Sequence, residues 1–429
     1  MSLGFQIRKQ SSGLSLTPRQ PGYFRVPSTG GALVLLLVLV VTCVGQKIDL
    51  PAPSGPYAVG TVIVHWVDPS RPEPMARDVA SRRELLVQIW YPAQTNNATA
   101  LAQYIPEFDR IYPYRKTLNE RGLSLLPGGF ERLKSLRTHS QLGAALSDKQ
   151  PRYPVLIFSP GNSVPRSLYT IQMEELASHG YVVAGVDHPY GVAIVAFPDG
   201  RVAIQADMRE NQPPFEERVA LRAADVRFVL NQLERLAEHD PEQRFTGSLD
   251  LGRVGIFGHS LGGVGAVQAG SLDRRFRAVL NLDGGTGEMS DNVERNLEQP
   301  FMLMVKAQRA TPRATDEQLA AWGLSRSQYE ALMTKDTERK EASYRKIRAP
   351  AYRVIIQGAE HTTFSDAPLL EGEYRGKGIE PKRSLRIISA YMLAFFNKFL
   401  RNEDSSLLDG PSTSYPEVSL ERYGPTVKE

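Results

Sequence analysis

Two hydrophobic rhythms alternate along this chain. Short runs without polar interruption recur: Val155-Leu-Ile-Phe158, Tyr181-Val-Val-Ala-Gly-Val-Asp187, Val254-Gly-Ile-Phe257, Ala278-Val-Leu-Asn-Leu-Asp283, Phe301-Met-Leu-Met-Val305 and Tyr352-Arg-Val-Ile-Ile356. Their length and continuity predict strands buried on both faces. Between them lie segments of helical period. Arg166 to His179 is one, stopped by Gly180. Glu216 to His239 is another, with Val219, Ala223, Val226, Leu230, Leu233 and Ala237 on one face. Arg383 to Leu400 is an amphipathic closing helix. Strand–helix alternation of this kind predicts an α/β fold with a mostly parallel central sheet and helices on both faces.

The first strands have a different character. Tyr57 to Val67 and Leu85 to Tyr91, the second closed by Pro92, predict an antiparallel pair. Ile194-Val-Ala-Phe197 and Arg201-Val-Ala-Ile204 flank Pro-Asp-Gly200 and predict a hairpin. Residues 93–150 form an excursion over the sheet edge near the mouth of any site, with a helix expected from Phe130 to Leu146. Residues 309–348 are charged and helical, a lid or insertion outside the core. The catalytic body is expected over 57–401, with a loose polar tail over 402–429.

The 429 residues carry 51 basic and 47 acidic side chains. Four of the basic residues, Arg8, Lys9, Arg19 and Arg25, fall in residues 1–44, which hold no acidic residue. The remainder is balanced, so no electrostatic case for nucleic-acid binding exists. After the basic segment 1–30 comes an apolar run, 31–45. As a helix it spans roughly 22 Å, short of a ~30 Å hydrocarbon core. That pattern fits a secretory signal, with a membrane anchor as the alternative, and implies a secreted, periplasmic or membrane-tethered protein. Residues 46–56, rich in proline, read as a linker. Cys43 is the only cysteine, so the body has no disulfide and no thiolate metal site. No His-x-x-x-His or comparable ligand cluster is present, and no cofactor is implied.

The chemistry concentrates at Gly258-His-Ser-Leu-Gly262. A strand run precedes it and small, helix-compatible residues follow, as in a Gly-x-Ser-x-Gly nucleophile elbow. The turn brings the residues two before and two after the serine too close for a Cβ, hence Gly258 and Gly262. Ser260 is then the exposed nucleophile, and the N–H of Leu261 is one oxyanion donor. Asn162, in the loop after Val155–Phe158, supplies the second, because Pro160 has no N–H.

A serine hydroxyl needs a base, and the base needs an orienting carboxylate. In this arrangement the chain order is serine, acid, histidine. Of the seven histidines only His361 follows Ser260, and it sits past a strand end. His259 lies inside the elbow and points away from the hydroxyl. The acid is Asp283, at the end of the strand after the elbow helix. Asp316 is the alternative, although it reads as the cap of a charged helix.

The blocks Tyr153–Gly161, Ala177–Ala184, Gly255–Gly263, Arg274–Asp283 and His361-Thr-Thr-Phe-Ser-Asp366 resemble the plasma-type platelet-activating factor acetylhydrolases, the lipoprotein-associated phospholipases A2 and their bacterial relatives. The similarity runs in order from about Tyr57 to Asp366. It implies an α/β-hydrolase and a calcium-independent serine esterase acting on lipid esters with short or oxidised acyl chains, with Asp283 as the acid and His361 as the base. The sequence departs from that pattern at Pro160, where the family usually has histidine. A generalist short-chain or polyester carboxylesterase is the alternative within the class. A non-catalytic binding protein on the same fold is the alternative outside it. The expected partner is a small-molecule or lipid ester, at a membrane or lipid surface or free in solution.

Overall fold

The computed structural model describes residues 48–424 except 77, 79, 96–98, 121–129, 206–212, 286–296, 308–314, 317–318, 320–322, 332–333, 336–337, 339–346 and 372–377. The basic segment 1–30, the apolar run 31–45 and most of the 309–348 insertion lie outside the described residues. Among the described residues no helix is long and apolar enough to cross a membrane.

The strands that position the site are the buried apolar runs. β5 (Tyr153–Ser159), β6 (Val182–Asp187), β9 (Leu249–His259), β10 (Phe276–Leu282), β11 (Phe301–Lys306) and β12 (Ala351–Ile356) form a continuous parallel block in a sheet of eleven strands among the described residues. Their order is β12-β11-β10-β9-β5-β6. β1 (Ala58–Pro72) and β2 (Arg82–Ala93) pair antiparallel, and β2 joins β6 antiparallel. Side chains alternate across the sheet as the period of two requires. Val155, Ile157, Val254 and Ile256 pack with Ala223, Val226, Leu230, Ala266 and Val267 on one face. Leu156, Phe158 and Phe257 pack with Met173, Leu176, Ile388 and Phe396 on the other. The helices Phe215–Glu238 and Leu261–Leu272 therefore cover one face, and Thr170–Ser178 and Pro381–Phe396 cover the opposite one.

Three expectations are corrected. The helix over Phe130–Leu146 does not form. Phe130–Leu133 is a single 3-10 turn, and Arg137–Leu142 is β4, which runs parallel to β1 and pairs with β3 (Leu101–Gln103). The open edge of β1 offers unpaired backbone groups, and satisfying them outweighs the local helical spacing of Phe130, Leu133 and Leu136. The residues after Arg401 are not a loose tail. Val418–Tyr423 is β13, antiparallel to β12, so Ala351–Ile356 is not the last strand. The linker is also anchored. Ser54 N–H and Gly55 N–H reach Glu175 and Ser178 at the end of the Thr170–Ser178 helix. The hairpin of β7 (Ile194–Ala196) and β8 (Val202–Ile204) forms as expected.

Candidate active site

β9 ends at His259, and the elbow helix begins at Leu261. Between them Ser260 takes φ 54°, ψ −123°, a conformation costing about 1–3 kcal/mol that the surroundings must hold. Both glycines are sterically required. A Cβ on Gly258 would lie 2.3 Å from the Gly262 carbonyl oxygen, and one on Gly262 would lie 2.1 Å from that of Ser159. β5 and the start of the elbow helix thus touch through backbone alone.

The serine faces His361, whose Nε2 is 2.9 Å from Ser260 Oγ. On the other side His361 Nδ1 is 2.6 Å from Asp283 Oδ2. With the Nδ1 proton donated to the carboxylate, Nε2 is left to accept the serine hydroxyl. The structure therefore joins Ser260, His361 and Asp283 in one hydrogen-bonded line, from residues 101 and 78 positions apart in the chain. Asp316 is exposed and pairs with Arg326 instead.

Asp283 reaches this position through a turn that its sequence neighbours dictate. Its own φ is 49°, in the left-handed region. Buried Asn281 accepts the Gly284 N–H at 2.8 Å, and a Cβ on Gly284 would strike the same amide at 2.3 Å. Lys306 N–H donates to Asp283 Oδ1 at 3.3 Å. His361 opens a short 3-10 turn, His361–Phe364, held by a capping box between Glu360 and Thr363. Asp366 anchors the far side of that turn. Its Oδ2 accepts the Tyr104 hydroxyl at 2.8 Å, and burial pushes its carboxyl up to about 7. Tyr104 belongs to the 93–150 excursion, which thereby supports the histidine turn.

Leu261 and Asn162 both line the crevice over Ser260, which is also lined by Val264, Leu303, Val305 and Arg353. Leu261 is the first helical residue, so its N–H has no acceptor within the helix. Gly161 N–H is turned away, toward Tyr169 Oη at 3.1 Å. The arrangement can deliver a serine alkoxide to a carbonyl carbon and receive the oxygen's charge on backbone amides.

Sequence reading missed what holds the loop at Pro160. Arg222 is buried and donates to the carbonyls of Pro160 at 2.9 Å and Gly191 at 2.9 Å. Burial pulls it down to about 10, so it stays charged at neutral pH. Behind it stands a second serine–histidine–aspartate line. Ser159 Oγ is 2.9 Å from His188 Nε2, and His188 Nδ1 is 2.7 Å from Asp225 Oδ2. Ser159 has no exposed surface, so this line pins the strand end rather than meeting a substrate. Burial and the nearby Arg222 push His188 down to about 4. Burial would raise the Asp225 carboxyl, but Arg83 and His188 outweigh it and hold it below the ordinary carboxylate range. The available signal was Arg222 and Asp225, charged positions beside Val219, Ala223 and Val226 on the buried face of their helix. A small pocket adjoins the crevice at Asn162 and Leu261 and reaches His188 and Arg222. Among the described residues no group of three or more metal-ligating side chains converges.

Comparison with known proteins yields consistent matches. The family model described as platelet-activating factor acetylhydrolase, isoform II, matches residues 42–412. A probable 1-alkyl-2-acetylglycerophosphocholine esterase of Arthroderma benhamiae is 27% identical over 421 residues, covering 90% of this chain and 98% of its own. A platelet-activating factor acetylhydrolase of Cavia porcellus is 26% identical, covering 89% and 86%. Among solved structures, a ferulic acid esterase from Streptomyces cinnamoneus superposes with a TM-score of 0.67 at 28% identity, over 87% of this chain and 99% of that one.

Proposed function

The chain belongs to the platelet-activating factor acetylhydrolase isoform II family, and from that premise we propose that it cleaves lipid esters by a serine acyl-enzyme mechanism at the Ser260–His361–Asp283 line. It is an ester-hydrolysing enzyme with an α/β-hydrolase fold. The observation that carries the mechanism is the 2.9 Å and 2.6 Å pair of hydrogen bonds through His361. His361 takes the Ser260 proton as Oγ attacks the ester carbonyl. Asp283 keeps the imidazole in the accepting tautomer and balances the imidazolium. Leu261 and Asn162 N–H groups stabilise the oxyanion, each typically supplying roughly 3 kcal/mol of barrier lowering. The imidazolium then protonates the leaving alcohol, and water repeats the sequence to free the acid.

The relatives' names point to a glycerophosphocholine carrying a short sn-2 acyl chain. The ferulic acid esterase neighbour supports a second reading, a carboxylesterase of broad alcohol scope. A phosphatidylcholine panel of graded sn-2 length, assayed with EDTA beside p-nitrophenyl and feruloyl esters, separates the two. Calcium-independent release that falls steeply with sn-2 length supports the first. Equal rates on the simple esters and none on the lipids support the second. Ser260→Ala must abolish whichever activity is found, along with labelling by a fluorophosphonate. Retained turnover in that variant would remove the mechanism.

A further inference from the structure

The elbow histidine, unsuited to be the base, is wired to it. His259 Nε2 lies 3.0 Å from the backbone oxygen of His361, and His259 Nδ1 lies 2.7 Å from Tyr169 Oη. The same Tyr169 oxygen is 3.1 Å from Gly161 N. The two ends of this chain of bonds fix every proton within it. An amide N–H can only donate, so the Tyr169 oxygen accepts from Gly161, and its own O–H goes to His259 Nδ1. A carbonyl can only accept, so His259 Nε2 carries the hydrogen. One tautomer satisfies all four groups.

We propose that Tyr169 and His259 are positioning residues that lock the oxyanion loop and the catalytic histidine turn into one hydrogen-bonded unit behind the elbow. The inference rests on the roles proposed above for Ser260 and His361. Both residues are buried, Tyr169 completely, and the site admits no slack. A Cβ on Gly161 would lie 3.2 Å from both His259 Nδ1 and Tyr169 Oη. In such surroundings each bond is stronger than in water, and a broken one is more costly. The wire joins two segments that no regular element connects directly, the Gly161–Asn162 loop after β5 and the four-residue turn opened by His361.

It also protects the chemistry. The rings of His259 and His361 are 4.6 Å apart. When His361 becomes an imidazolium during turnover, a second cation at that separation would oppose it. Tyr169 occupies the Nδ1 lone pair of His259, so a proton cannot enter there without breaking the wire. Burial and the neighbouring His361 accordingly push His259 down to about 3. Tyr169 and His361 are the titratable side chains in ring contact with it, together with the apolar Phe364.

The test compares His259→Gln, His259→Asn, His259→Phe and Tyr169→Phe with wild type and with Ser260→Ala, using a short-chain p-nitrophenyl ester. Glutamine can place an N–H near the Nε2 position and keep the bond to His361. Asparagine is one methylene too short to do so. Phenylalanine fills the ring volume and keeps neither bond. The expected order of kcat is glutamine within about threefold of wild type, then asparagine and Tyr169→Phe reduced by about tenfold, the effect of one hydrogen bond, and phenylalanine, which loses both, reduced further. KM should stay within about twofold. Phenylalanine at 259 as active as glutamine, or Tyr169→Phe as active as wild type, overturns the proposal. A residue that only fills space would change the melting temperature without separating glutamine from phenylalanine in kcat. If Ser260→Ala itself retains activity, the triad reading has failed instead, and the two failures are told apart in the same plate.

Discussion

Gly262→Ala is the sharpest test of how Ser260 is held. An added methyl carbon would stand 2.1 Å from the Ser159 carbonyl oxygen and 2.3 Å from that of Pro160. Ordinary contact begins near 3.4 Å, so about 1.3 Å must be made up. Both obstacles are backbone, and neither can turn aside as a side chain could. Ser159 is pinned by His188 and Pro160 by Arg222, which leaves the elbow helix to move. That helix carries the Leu261 N–H and starts at the strained Ser260. A displacement of about 1 Å at reacting groups costs on the order of 100-fold in rate. Overpacking of this kind costs about 1–3 kcal/mol of stability. For a body of this size that is a fall of only a few degrees in melting temperature. The assay is kcat on a short-chain ester together with a thermal melt. Gly410→Ala is the matched control, since no atom lies within 4 Å of its added carbon. A Gly262→Ala enzyme that turns over within twofold of wild type and melts with it would refute the claim that bare backbone contact sets the elbow.

Other outcomes follow from the same geometry. Asp283→Asn should leave the fold intact and lower kcat by about 1000-fold or more, because the amide can hold the wrong imidazole tautomer; a loss under tenfold would reassign the acid. Asp225→Asn removes the charge shared by Arg83, Arg71 and His188 in a fully buried site, and should destabilise by about 3–5 kcal/mol, read as a lower urea midpoint. The pH dependence has a stated sign. His259 is neutral in the fold, at about 3, and takes a proton near 6.5 when unfolded, so its share of stability is present above about pH 6.5 and is lost as pH falls toward 3. His188, at about 4, acts in the same direction, and Asp366, at about 7, opposes them as pH rises from 4 to 7. His259→Phe should therefore flatten the pH slope of unfolding free energy by about 1.4 kcal/mol per pH unit between pH 4.5 and 6. Parallel slopes in urea melts at those pH values would contradict the buried neutral state.

Much of the site was legible because its rules are local. The Gly-x-Ser-x-Gly spacing follows from sterics within five residues, and the structure shows the collisions it implies at Gly258 and Gly262. Asp283 and His361 were found by strand-end position and chain order, and the structure brings His361 to Ser260 and Asp283 to His361. The misreadings came where sheet edges decide. Phe130, Leu133 and Leu136 have helical spacing, yet the chain after them is drawn into β4 by the unpaired edge of β1. Val418–Tyr423 follows a stretch with no continuous apolar run, and it becomes a strand because β12 offers it a partner. Neither edge exists until distant segments have assembled.

The sequence by itself determined the reaction type. A strained serine, one later histidine and a carboxylate at a strand end are properties of residue identity and order. Tertiary structure alone decided what keeps them in register. Arg222 and Asp225 read as two charges on an amphipathic helix, and His259 as a residue turned away from the serine hydroxyl. Burial makes each of them consequential. Away from water a guanidinium must find carbonyls, a carboxylate must find cations, and an imidazole must settle on one tautomer. The partners they find are Pro160, His188, Tyr169 and the backbone of His361, and which partners lie within reach is known only once the chain has folded.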